Sequence, residues 1–203
     1  MQKKILPFIV ISLLLSACNN HQTAGDRNFK QALNKYNQQH PECRTIPLIN
    51  EDNSNISLGN DVIRISRTDS AGNKINQKAL KQMQLLKKAG IYKQNKDDAS
   101  SDGKVSVAVF VLNKDAKNKY KSKQLCIGTI KVKEIKWFSQ PTNDKGLVVS
   151  KVAYAGEYQL YKWSERLLKE TQPDMYDKLK QPVNAQSTLV LTNKGWLDIR
   201  EVN

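Results

Sequence analysis

Val105, Val107, Val109 and Val111 fall on one side of an extended chain, and Ala108, Phe110 and Leu112 on the other, with Ser106 as the polar exception. Apolar residues on both parities predict a strand covered on both faces, and therefore a central one. A longer strand follows at 125–138. There Ile130 and Val132 share one parity and Lys131 and Lys133 the other, yet Ile135 and Trp137 occupy the parity of the lysines. Because parity sets the face, this strand must bulge near Lys133–Glu134 to bury both apolar groups. Residues 141–146 read as a turn. The stretch 147–161 returns with Val148, Val152, Tyr154, Tyr158 and Leu160 on one side, which makes a long antiparallel hairpin. A last hairpin joins 188–191 to 196–202 through Asn193-Lys194-Gly195.

Helical spacing marks three other stretches. Phe29, Ala32, Leu33 and Tyr36 recur on one face after a capping Asn28, and Pro41 ends the run. Ala79, Leu80, Met83 and Leu86 form a stripe over 75–89, with Lys78, Lys81, Lys87 and Lys88 scattered elsewhere and Gly90 where a helix end favours a left-handed residue. Residues 163–179 are helical in character, with Leu167, Leu168, Met175 and Leu179 apolar and a break at Pro173. Between these lie a short strand at 43–49, confined to an edge by Pro47, a polar loop at 50–60, a short segment at 62–65, a charged loop at 95–104 and a lysine-rich connection at 114–123. The fold expected is α+β, with N-terminal helices and a mostly antiparallel C-terminal sheet. It forms one domain over 29–203, helical over 29–92 and sheet-like over 104–203.

The N-terminus carries a different pattern. Lys3 and Lys4 precede an apolar run over 5–15, followed by Leu15-Ser16-Ala17-Cys18. A charged start, a short apolar run and a small-residue end have the layout of an export signal, and the run is shorter than the roughly twenty residues a span needs. Leu-Ser-Ala-Cys resembles the lipobox of bacterial lipoproteins. The resemblance implies cleavage between Ala17 and Cys18, a signal peptide over 1–17, a lipid on Cys18 and a flexible tether over 18–28. In a Gram-negative cell, Asn19 after the cysteine implies the outer membrane, with the domain facing the periplasm. An ordinary secretory signal that happens to hold a cysteine is the alternative.

Charge and cysteine content narrow the partners. The chain has 33 basic and 19 acidic residues, a net charge of +14, rich in lysine and spread along its length. On an exported, anchored protein such a surface suggests attraction to anionic lipid, acidic glycan or a partner protein, beside plain solubility. The phrase from Ala79 to Ile91, ending Leu-x-x-Ala-Gly-Ile, resembles a helix of winged-helix proteins and would imply DNA reading. Export opposes it, so the stripe is read as core packing and no nucleic-acid partner is expected. Apart from Cys18 the cysteines are Cys43 and Cys126. In an oxidising envelope they read as a disulfide, with two buried free thiols as the rival.

Catalytic signatures are missing from the sequence: there is no Gly-x-Ser-x-Gly, His-Glu-x-x-His, metal-spaced Cys/His cluster or phosphate-cradling glycine loop. His21 and His40 are the only histidines, so no catalytic cysteine is expected. Asp97, Asp98 and Asp102 lack the alternation of a calcium loop and read as solvated. Glu134 and Glu157 could face each other across the long hairpin as an acid/base pair, or merely coincide. Trp137, Tyr154, Tyr158, Tyr161, Trp163 and Trp196 could make a stacking surface or an aromatic-rich core. The order of segments resembles small exported proteins of the CpmK type, linked to carbapenem tolerance, and no functional residues carry over from them. The expectation is a non-enzymatic lipoprotein binding an anionic envelope component or protein, with no cofactor, metal or small-molecule substrate. An accessory of antibiotic tolerance and a hydrolase with an unrecognised site are the other two readings.

Overall fold

The strand over Gln124–Phe138 (β7) is the spine of the molecule, because its two halves serve two different cores. The computed structural model describes residues 21–51, 55–95, 98–99 (backbone only) and 105–202. Before β7 come α1 (Asp26–Gln39), β1 (Glu42–Arg44), β2 (Val62–Ser66), α2 (Gln77–Lys88), β3 (Tyr92–Gln94), β4 (Asp98–Ala99), β5 (Ser106–Leu112), a 3-10 turn (Lys114–Lys119) and β6 (Tyr120–Lys121). After it follow β8 (Thr142–Asp144), β9 (Leu147–Leu160), α3 (Lys162–Thr171), α4 (Pro173–Leu179), β10 (Val183–Thr192) and β11 (Gly195–Asp198).

All the described strand pairs are antiparallel, in two sheets. The seven-stranded sheet has the order β1-β7-β9-β10-β11, with β6 beside β7 and β8 beside β9; the four-stranded one runs β2-β5-β3, with β4 also on β5. This corrects the expected division into N-terminal helices and a C-terminal sheet. Strands β1 and β2 fall inside the stretch taken as helical, β3 begins at its last residue, and α3 and α4 fall inside the stretch taken as sheet. Short strands such as β1 and β3 bury too few residues to show a period. They exist because β7 and β5 offer them backbone partners.

The parity defect in β7 is real. The register slips between Val132 and Glu134, leaving Lys133 as the extra residue, and slips again between Ile135 and Trp137. The first bulge returns Ile135 to the face of Val132. The second turns Trp137 outward, 49% exposed, which corrects the expectation that it is buried with Ile135. Strand β5 is central as predicted, with β2 on one side and β3 and β4 on the other. Its Ala108, Phe110 and Leu112 face is buried, and on the other face Val109 is buried while Val107 and Val111 are half-covered.

Leu125 and Ile127 of β7 belong to the larger core, with Ala79, Met83 and Leu86 of α2, Phe110 of β5, and Leu167 and Leu168 of α3. Val132 and Ile135 belong to a second core, with Phe29 and Leu33 of α1, Val152, Tyr154, Leu189 and Trp196. Cys43 and Cys126 are register partners in β1 and β7 and form a disulfide across a separation of 83 residues. Closing so long a loop stabilises the folded chain by about 4 kcal/mol in the chain-entropy account. Reduction is therefore expected to lower the urea midpoint clearly, and non-reducing peptide mapping should recover the Cys43–Cys126 pair. Free thiols at both positions would refute the bond.

The N-terminal segment is packed earlier than a tether over 18–28 implies. Helix α1 begins at Asp26 rather than after Asn28, Trp196 Nε1 donates to Gln22 O at 3.1 Å, and Ala24 rests on the second core. Gly195 (φ 98°) is part of the reason: a Cβ there would lie 3.0 Å from the His21 carbonyl oxygen. Cys18 and the rest of the signal stretch lie outside the described residues.

Candidate functional site

Strand β1 is short because Pro41 and Pro47, which lack a donor N–H, bracket it. Alternation puts Glu42 and Arg44 opposite the bonded Cys43. The Arg44 Nη2 donates to the Tyr158 hydroxyl at 2.8 Å and stands 3.0 Å from Glu42 Oε1, with the guanidinium 5.5 Å from the Tyr158 ring centroid. Its Nε is buried and has no hydrogen-bond partner among the described residues. The facing wall arises from the Pro173 break. Gln172 leaves the helical region (φ −142°), and Pro173 opens α4 at a first-turn position where its missing N–H costs nothing. Gln172 Nε2 then donates to Pro47 O at 3.1 Å, tying this corner to the chain after β1.

Between these walls lies a cleft of about 570 Å³, lined by Arg44, Tyr158, Thr171, Gln172, Asp174, Met175, Lys178 and their neighbours. The α3–α4 wall is braced. Glu165 accepts from the Tyr176 hydroxyl at 3.0 Å and from Lys180 Nζ at 3.2 Å. Those bonds, from Lys180 first, hold the Glu165 carboxyl below its usual range. Two cations, one carboxylate and the apolar Met175 and Leu179 make a cleft suited to a ligand with an anionic group and an apolar part.

The residues singled out in the sequence do not converge there. Glu134 pairs with Lys136 at 2.6 Å and Glu157 with Lys133 at 2.7 Å. In register, Glu157 opposes Lys131 and Glu134 opposes Ala155, so each carboxylate is matched to a lysine and neither lines the Arg44 cleft. The aromatic set is dispersed as well: Tyr154 and Trp196 are in the second core, and Tyr158 and Trp163 edge the first. Among the described residues no group of three or more His, Cys, Asp or Glu could hold a metal ion. Asp97 and Asp102 lie outside the described residues, while the backbone of Asp98 pairs with Val107. No described helix is long and apolar enough to cross a membrane.

No family model matches the chain, and no curated protein or solved structure matches it. The site therefore stands on its geometry. The sequence places Arg44 in a short strand but does not show its role, because its cleft partners Tyr158 and Lys178 lie more than a hundred residues along the chain. Its position next to a bonded cysteine, with Pro173 breaking a helix far along the chain, was the available signal.

Proposed function

We propose that the protein is a lipid-anchored, non-catalytic lipoprotein of a bacterial envelope, which holds an anionic envelope ligand in the Arg44 cleft. The anchor is Cys18, and the membrane is the outer one if the cell is Gram-negative. Export and anchoring are supported by the apolar run over 5–15 ending in Leu15-Ser16-Ala17-Cys18. The observation that carries the binding reading is the pairing of Arg44 and Lys178 with Met175 and Leu179 in one cleft. Among the described residues nothing resembling an activated nucleophile or a carboxylate pair borders it, so the cleft is assigned to holding rather than transforming.

Two measurements test this reading. The mass of the N-terminal peptide after membrane extraction should show a diacylglycerol on Cys18, and an unmodified cysteine removes the anchor. Capture of the ligand from solubilised envelope should weaken by about tenfold in Arg44→Gln, as for a half-exposed charge pair. It should also fall with salt. Capture unchanged in Arg44→Gln places the ligand elsewhere.

A further inference from the structure

The packing of His21 and Gln22 constrains how the domain can sit on a membrane. His21 lies against the β10–β11 turn: the Cβ that Gly195 lacks would be 3.1 Å from His21 Cβ, and the next residue accepts from Trp196. Only Asn19 and Asn20 separate His21 from Cys18. Three residue steps of fully extended chain cover at most about 11 Å. A lipid on Cys18 would therefore hold this end of the seven-stranded sheet within about 11 Å of the headgroup layer, leaving the tilt of the domain to be set by the groups on that end.

That end carries a cationic cleft. Between α1 and the β10–β11 turn lies a cleft of about 180 Å³ whose lining includes His21, Asn28, Lys35 and Lys194 and, among the described residues, no carboxylate. Neither Lys35 nor Lys194 has an ion-pair partner among the described residues. The register Val149↔Val190 sets the β8–β9 turn beside the β10–β11 turn, so Lys145 tops the neighbouring hairpin. Lys35 and Lys194 thus share a cleft with His21, and Lys145 sits on the turn beside it.

We infer that this cleft binds the phosphate of an anionic lipid headgroup in the leaflet that holds Cys18, orienting the domain with α1 and the β10–β11 turn against the membrane. The inference rests on the lipid anchor proposed above. Cleft and anchor act together: the acyl chains supply membrane residence, and the lysines select the pose.

The test is amine-labelling of the full-length protein, extracted from membranes and reconstituted in vesicles of phosphatidylcholine alone or with phosphatidylglycerol. Lys35 and Lys194 are expected to react about fivefold more slowly in the anionic vesicles, the effect of one basic residue near an anionic surface. Lys93, exposed on the four-stranded sheet, should react at the same rate in both. Equal rates for Lys35 and Lys194 in the two vesicles would overturn the inference. Equal protection by inorganic phosphate in detergent micelles would overturn the lipid as its source. The mass of the N-terminal peptide from the same sample separates the two readings. A bare Cys18 defeats the anchor, whereas unchanged rates on a lipidated Cys18 defeat the cleft alone.

Discussion

Arg200→Ala is expected to cost about 3 kcal/mol of folding stability at neutral pH and markedly less near pH 4. Asp198 is wholly buried at the end of β11, and Arg200 grips it through Nε at 2.7 Å and Nη2 at 2.8 Å. The Ser187 hydroxyl adds a third bond at 2.6 Å, and the Arg200 guanidinium lies 3.9 Å from the centre of the Tyr36 ring. Burial works against the charged carboxylate, but the bonds from Arg200 and Ser187 outweigh it and hold Asp198 below its ordinary value of 3.8. A depressed acid contributes stability above its unfolded value, and that contribution is lost as pH falls through the lower folded value. Removing Arg200 leaves burial to act on an uncompensated charge. The variant is then most penalised where Asp198 must ionise, and acidification narrows its gap to the parent. The lower end of the usual range for breaking a buried pair applies because Arg200 is itself 52% exposed, so water can reach the vacated place. Urea unfolding at the two pH values measures the gap. Adding Asp198→Asn to the variant should recover part of the loss. An equal cost at both pH values, with no recovery, would defeat the electrostatic account.

Phe29→Ala should cost about 4 kcal/mol. Phe29 is fully buried and meets two rings edge-on, Phe138 at 5.0 Å and Trp196 at 4.9 Å between centroids. Truncation removes both aromatic contacts and leaves a cavity between α1 and the sheet that rigid strands cannot close. The loss should also be local. Lys30 Nζ donates to Lys133 O at 2.7 Å, and Asn34 Oδ1 accepts from Val132 N at 2.8 Å, so α1 is held to β7 by few polar contacts besides Phe29 and its apolar neighbours. Hydrogen exchange should quicken in α1 and around Trp196 while α2 stays protected, because α2 packs in the other core. A uniform loss of protection across both cores would contradict that division.

How much of this was legible depends on which property of a residue the fold uses. The β7 bulge at Lys133 could be read because parity and burial conflict within one strand. The Gly90 end of α2 (φ 71°) and the Pro173 break are local backbone facts, and they too were visible. Gln82 was not. It reads as an ordinary polar residue on a lysine-rich helix, yet it is fully buried. It accepts from Ile49 N at 2.7 Å and donates to Pro47 O at 3.2 Å, satisfying groups that the short bridge between Pro47 and Ser57 leaves over. Trp137 misled in the opposite direction, since one parity correction implied burial and only pairing with β9 reveals a second bulge. Neither cleft was visible either, because each joins residues far apart in the chain: Arg44 with Lys178, and His21 with Lys194.

By itself the sequence determined most of the local elements, and it carries the N-terminal pattern on which the proposed export rests. Period, proline, glycine and an apolar run followed by cysteine act over a few residues and need no partner. Only the tertiary structure decided which strands pair, that one long strand feeds two cores, and where the cationic clefts lie. A residue's facing is written in its neighbours along the chain. Its partner is chosen by backbone groups and side chains dozens of residues away, which compete for the same donors, acceptors and buried space.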